Sequence, residues 1–436
     1  MVVHYTGQIR PLTVAGIGNR SVYEFIMRFH KSVSVYAYNL SHGETPSSHL
    51  GILLLAAIIL FIRKTDAFLN PQFWAEDFWP FFVDADLFGS DMLLRGYNGY
   101  CHLAPRLIAW ASAHYDPVFQ PALYVGASFA ITMSVVALAL SPRLNLIGKK
   151  WLALAIVAVP HTGEVFLNPT NLQWILALGF LLILLKSDPV TRLDWVADVL
   201  WLTVISLTGP FGVLFFPLFI WRASKRRSFG SLILTLILAI PVAFQAWQLV
   251  HAPEIVPADR FNWMGLISLM SARIPATFLV GAPLSFRLGY ATVVVIGLLS
   301  LVLLLAAIVR KTPSRETQVV ALIALVLVVI AAVRRIRPDT WAFDDIVNGD
   351  RYLYVPKVLS LWLFVLVFIE TKALWIRRTL LTVVAIGVIG NISSFRFSPL
   401  PDLYWASYCD KIRAGQKVVI PINPGWTKEY PGKIVK

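Results

Sequence analysis

Charged side chains are scarce in this chain of 436 residues: 14% are Asp, Glu, Lys or Arg, against roughly 25% in soluble globular proteins. Hydrophobic residues make up 57% and mean hydropathy is +0.69, which excludes a water-soluble fold. Cysteine is nearly missing, with only Cys101 and Cys409. Both fall in segments read below as lying outside the cytoplasm, where a disulfide persists if two thiols meet; two thiols buried as small hydrophobes are the other reading. No GxSxG elbow, phosphate-loop lysine motif or HExxH occurs, so ATP-driven and zinc-dependent chemistry have no support. Heptads, solenoid repeats and low-complexity tracts are also missing, as is the inverted repeat that many transporters carry. The first 50 residues lack an apolar core followed by a small-residue cleavage site.

What the chain has in quantity is apolar stretches. A bilayer core about 30 Å thick takes roughly 20 apolar residues per helix, and such stretches recur here, each bounded by Arg, Lys, Pro or Gly. Runs such as 297–308 (GLLSLVLLLAAI) are apolar all round, which excludes the alternation of a β-barrel. The expected fold is all-α: a polytopic helical membrane protein with about eleven transmembrane helices. The predicted spans are residues 48–63, 117–140, 149–164, 171–186, 193–209, 211–224, 229–251, 287–309, 316–335, 352–371 and 377–393. Segments 74–108 and 261–284 read as amphipathic helices at the outer interface.

The net charge of +14 does not call for a nucleic-acid partner, because Arg and Lys concentrate in five short loops. These hold Arg143 with Lys149 and Lys150, Lys186 with Arg192, Arg222 with Lys225 to Arg227, Arg310 with Lys311 and Arg315, and Lys372 with Arg377 and Arg378. They are the predicted cytoplasmic loops, and the acids are expected to gather in loops on the other side. Residues 1–47 become a cytoplasmic tail, 48–396 the membrane domain with an extracytoplasmic loop at 64–116, and 397–436 an extracytoplasmic tail with room for a short strand.

Four clusters can carry chemistry. The first outer loop, NPQFWAEDFWPFFVDADLFGSD from Asn70 to Asp91, sets Glu76, Asp77, Asp84, Asp86 and Asp91 among interfacial aromatics. A carboxylate there can accept a proton from an attacking hydroxyl, and apolar surroundings raise its pKa towards the useful range. The same residues also fit a solvated acidic loop, and Asp84-Ala-Asp86 has the form of a divalent-metal pair that chance often produces. In YNGYCHLAPR, His102 and Arg106 lie four apart, the arginine suited to a phosphate or to lipid headgroups. In HTGEVFLNPTNLQW, residues His161, Glu164, Asn168, Thr170, Asn171 and Trp174 suit a sugar-sized ligand or pair between helices. The stretch from Arg334 to Lys357 breaks the charge bias: its acids and bases either neutralise one another or leave Arg351, Tyr352, Tyr354 and Lys357 to bind an anionic lipid phosphate.

The layout resembles the GT-C superfamily of membrane glycosyltransferases, and the strings FWAED, GYCHLAPRL, NPTNLQW, LTGPFG, RYLYVP and INPGW look like those of a bacterial membrane family of this type, over residues 71–426. The resemblance implies transfer of a sugar from a polyprenyl-phosphate donor to a glycan or lipid-linked acceptor outside the cytoplasm, in the bacterial inner membrane, as in glucosyltransferases that modify O-antigen. It implies Asp77 as general base with Glu76 supporting or replacing it, and Arg106, Arg351, His102 and Lys357 around the donor phosphate. Glu164, Asn168, Asn171, Trp174 and Tyr352 would meet sugar or acceptor. The leaving group is already a phosphate, so cations matter more than a general acid, and inversion is the natural course. No cofactor is implied, and a divalent metal is unsupported. Phe78 stands after Glu76-Asp77 where the related proteins are expected to have a small residue. A lipid or oligosaccharide flippase, and an O-antigen polymerase or ligase, would use similar groups.

Overall fold

The computed structural model describes residues 46–252, 290–309, 313–335 and 349–433, with isolated positions between 271 and 289. The predicted tail 1–47 lies almost wholly outside the described residues, as do most of the interfacial segment 261–284 and Arg337, Asp339, Asp344 and Asp345.

Helices dominate. In chain order they are α1 Pro46–Arg63, α2 Thr65–Leu69, α3 Val83–Phe88, α4 Leu103–Ser112, α5 Gln120–Ala139, α6 Lys149–Ala158, α7 Leu172–Leu185 and α8 Arg192–Ser206. There follow α9 Phe211–Arg226, α10 Phe229–Val250, α11 Tyr290–Val309, α12 Arg315–Arg335, α13 Tyr354–Glu370, α14 Leu374–Asn391 and α15 Ala406–Arg413. Two antiparallel hairpins complete the fold: β1 Gly96–Tyr97 with β2 Tyr100–Cys101, and β3 Val418–Ile422 with β4 Trp426–Tyr430.

Every predicted span has a helix at its position, yet among the described residues five stretches, not eleven, are long and apolar enough to cross a bilayer. They are Pro117–Ala139, Phe229–Val250, Arg315–Val333, Asp350–Glu370 and Leu374–Asn391, and they make this a multi-pass membrane protein. Shorter apolar helices occupy Ser48–Arg63, Pro169–Leu185 and Tyr290–Val302. The overcount has a physical cause: several of the apolar runs form helices too short for a crossing, with 10 residues in α6, 14 in α7 and 15 in α8. All of α7 from Leu172 to Leu184 is buried, whereas α14 buries only Gly387 and Asn391. The run predicted to span 149–164 is cut short, and α6, at 1.5 Å per residue, extends only about 15 Å. Its end is held by Arg63, whose guanidinium donates to the carbonyls of Val157 and Val159, both at 2.8 Å, and of His161 at 2.5 Å. Carbonyls left open at a buried helix end are thereby satisfied without another turn.

Successive helices bring the basic loops at Arg143, Lys186 and Arg222 together at one end of the bundle. There Arg143 meets Asp194 (3.3 Å) and Asp198 (2.6 Å), Lys186 meets Asp198 (2.9 Å), Arg222 meets Asp188 (2.9 Å) and Lys225 meets Glu316 (2.9 Å). Carboxylates stand among the cations at this end as well.

The first long loop, residues 64–116, and the C-terminal segment meet at the other end. Asn423 pairs with Trp74 in a parallel bridge and accepts a hydrogen bond from Ala75 N at 2.6 Å. Tyr430 donates to Asp86 Oδ2 at 2.5 Å, Lys433 pairs with Asp86 at 2.9 Å, and Arg413 pairs with Asp116 at 2.8 Å. The loop itself is a series of short helical turns rather than long interfacial helices; Gly89, at φ +52°, ends α3. Cys101 and Cys409 are buried free thiols, donating to the carbonyls of Leu93 and Trp405 respectively.

Candidate functional site

A cavity of about 340 Å³ opens where the loop 64–116, the segment before α7, the start of α13 and the β3–β4 hairpin converge. Its polar wall includes Glu76, His102, Glu164, Asn171, Trp174 and Arg351. Apolar side chains line it as well: Val213 and Leu214 of α9, Leu249 of α10, and Val328, Ala331 and Ala332 of α12.

Adjacent carboxylates in the first loop are separated by backbone geometry. Ala75 sits at φ +46°, a left-handed conformation that costs a non-glycine residue about 1 kcal/mol, and its amide is held by Asn423 O. Residues Ala75–Asp77 then form one 3₁₀ turn, in which successive side chains point about 120° apart. Glu76 faces the cavity, and Asp77 does not line it.

Asp77 is 1% exposed. Its Oδ1 accepts from the Thr170 amide at 2.9 Å and the Thr170 hydroxyl at 2.7 Å, and its Oδ2 from Trp74 N at 3.2 Å. Burial pushes its pKa up to about 7, opposed by these three hydrogen bonds. The Glu76 pKa is also raised, mainly by burial, while a hydrogen bond from its own backbone and the charge of Arg351 pull it back.

Arg351 donates to Glu164 Oε1 at 2.7 Å and lies over the Tyr352 ring, 5.2 Å from the centroid. Glu164 belongs to the irregular segment after α6, which two asparagines shape. Asn168 donates to Glu164 O (2.7 Å) and accepts from Asn171 N (3.0 Å), and Asn171 donates to Glu164 O at 3.2 Å. Asn168 thus forms the turn and does not line the cavity, whereas Asn171 does. Trp174 stands between Tyr352 and Phe211, its ring centroid 5.2 Å from each.

His102 lines the cavity as a neutral imidazole: burial, with help from the Arg106 charge, lowers its pKa to about 3. Its Nε2 meets Tyr97 O at 3.2 Å, and its ring packs on Tyr100 with centroids 4.5 Å apart. The LTGPFG string positions it, since Leu103 N donates to Leu207 O at 2.8 Å and Ala104 N to the Thr208 hydroxyl at 2.9 Å.

Two cations expected at a donor phosphate are engaged elsewhere. Arg106, 1% exposed, pairs with Asp84 at 2.9 Å and does not line the cavity. Lys357 donates to Asp350 Oδ1 at 2.7 Å, in a buried cluster where Asp350 Oδ2 also accepts from Thr162 N (2.8 Å) and meets His161 Nε2 (3.1 Å). The Asp84-Ala-Asp86 pair is likewise divided, Asp84 to Arg106 and Asp86 to Tyr430 and Lys433. Among the described residues no three His, Cys, Asp or Glu side chains gather as metal ligands would.

Gln173, Tyr97, Tyr100 and Trp426 also line the cavity, beyond the site residues expected from the sequence. Trp426 had a signal, because it ends the INPGW string; Gln173 had none beyond its place beside Trp174. No protein-family model, no curated protein and no solved structure matches the chain.

Proposed function

We propose that this protein is a glycosyltransferase of the bacterial inner membrane, related to the GT-C superfamily, moving a sugar from a polyprenyl-phosphate donor to an extracytoplasmic glycan or lipid-linked acceptor. The observation that carries the reading is that one cavity is lined both by the charged groups Glu76, Glu164 and Arg351 and by apolar side chains from α9, α10 and α12. Such a cavity suits a substrate with a charged, hydroxyl-rich head and a long hydrocarbon tail.

In this reading Glu76, rather than Asp77, is the base, because it is the acid of the pair that faces the cavity. The acceptor hydroxyl oxygen attacks the anomeric carbon, its proton passes to Glu76, and the bond from that carbon to the phosphate oxygen breaks. Polyprenyl phosphate leaves, and Arg351 meets the charge that develops on it. Attack opposite the leaving phosphate inverts the anomeric centre. Asp77 and Thr170 hold the turn that presents Glu76, and Trp174 with Tyr352 offers ring faces to the sugar.

The test supplies purified protein in nanodiscs with polyprenyl-phosphate sugars and a lipid-linked glycan, and follows acceptor mass. Glu76→Gln should lower transfer by about 10²-fold or more with donor binding retained. Undiminished transfer removes Glu76 as base. Transfer of a whole glycan instead of one sugar identifies a polymerase or ligase. Movement of lipid between leaflets with no transfer from any donor identifies a flippase.

A further inference from the structure

We propose that the tip of the C-terminal hairpin is an acceptor subsite for an acidic glycan, with Trp426 receiving a sugar face and Lys428 pairing with a carboxylate or phosphate on that glycan. This rests on the glycosyltransferase reading and adds an acceptor class to it.

Register decides which side chains face the first outer loop. Trp426, Lys428 and Tyr430 alternate along β4 and so share one face of the strand. Tyr430 on that face reaches Asp86 of the first loop at 2.5 Å. The same face therefore turns Trp426 and Lys428 towards the loop that carries Glu76, and Pro424 and Trp426 line the cavity. The hairpin tip cannot swing freely, because Asn423 is bonded to the backbone at Trp74 and Ala75, immediately before Glu76.

The two side chains have the chemistry of an acidic-sugar contact. Trp426 keeps 37% of its surface exposed, leaving ring area for the C–H face of a pyranose. Lys428 Nζ lies over one face of that ring, 5.3 Å from its centroid, so a sugar stacks on the opposite face or at the exposed ring edge with its acidic group turned to the ammonium. Neighbouring lysines are committed, Lys417 to Glu429 (2.9 Å) and Lys433 to Asp86 (2.9 Å), while Lys428 has no carboxylate within ion-pair distance among the described residues.

The experiment titrates the full protein in nanodiscs with three probes, maltotriose, maltotriose phosphate and trigalacturonic acid, following tryptophan fluorescence and calorimetry. The acidic probes should bind at least fivefold more tightly than maltotriose. Lys428→Gln should abolish that preference while leaving maltotriose unchanged, Lys428→Arg should restore it, and Trp426→Leu should weaken all three probes. The relative affinity of the phosphate and carboxylate probes tells which acid the natural glycan carries. Equal binding of neutral and acidic probes, or a preference that survives Lys428→Gln, overturns the subsite. Both positions are on the hairpin surface, and an unchanged thermal midpoint verifies folding of each variant. Acid-selective binding with no sugar transfer refutes the enzyme reading alone; transfer with no acid selectivity refutes the subsite alone.

Discussion

Thr170 donates twice to a single oxygen of Asp77, from its amide at 2.9 Å and from its hydroxyl at 2.7 Å. The contact joins the first outer loop to the turn before α7, and it explains how an acidic side chain stays buried with no cation in hydrogen-bond contact among the described residues. Two neighbouring acids thereby take different roles, Asp77 holding the turn and Glu76 standing in the cavity wall.

Asp77→Asn should therefore act on stability as much as on rate. An amide group in place of Oδ2 sets a donor against Trp74 N–H, with a cost of about 1–3 kcal/mol. A lowered thermal midpoint with transfer reduced less than in Glu76→Gln is the expected result. Loss of transfer equal to Glu76→Gln at unchanged stability would return the role of base to Asp77.

The pH dependence has a definite sign. Asp77 titrates at about 7 in the folded protein and at about 3.9 when unfolded, so the unfolded chain releases this proton first as pH rises. Its contribution to stability is present in full below about pH 4 and is lost as pH climbs through about 7. Thermal midpoints taken from about pH 4 to 8 should fall across that window, and less steeply in Asp77→Asn.

Arg351→Ala should weaken donor binding about tenfold, the scale of one lost hydrogen bond to a charged group. Glu164→Gln should change it less. Because Arg351 is 40% exposed, the Arg351–Glu164 coupling in a double-mutant cycle should stay within about 1 kcal/mol of stability. Titration of a non-hydrolysable polyprenyl-phosphate sugar measures the first effect, and chemical denaturation the second.

Asp350→Asn should be far more damaging, since it leaves Lys357, 3% exposed, as an uncompensated buried charge; removing one partner of such a pair costs about 3–5 kcal/mol. Adding Lys357→Met should recover much of that loss. Thermal denaturation of the single and double variants checks both statements.

Arg106→Ala should lower stability by a similar amount, because it strands Asp84 and empties a site lined by Phe81 and Met92. Donor affinity of the folded fraction should hold. A specific loss of donor affinity at unchanged stability would place Arg106 at the phosphate after all.

The apolar runs located the helices because the pattern that makes a helix is local. The cavity residues His102, Glu164, Asn171, Trp174, Arg351 and Tyr352 were legible for a related reason: polar and aromatic groups beside membrane helices need partners, and a wet cavity is one place to find them. Asp77, Arg106, Lys357 and Asn168 carry the same local signs, yet each is taken up by a partner inside the protein.

Composition and periodicity established a helical membrane protein, since in lipid only helices and closed barrels satisfy the polar backbone, and runs that are apolar all round exclude the barrel. They could not establish how many helices cross: α7 and α14 were both expected to span, and the structure gives them different lengths and buries α7 almost entirely while leaving most of α14 exposed. Nor could they separate Glu76 from Asp77. That choice follows from the backbone at Ala75, held by Asn423 from the far end of the chain, and a contact so distant in sequence leaves no trace in the order of residues around it.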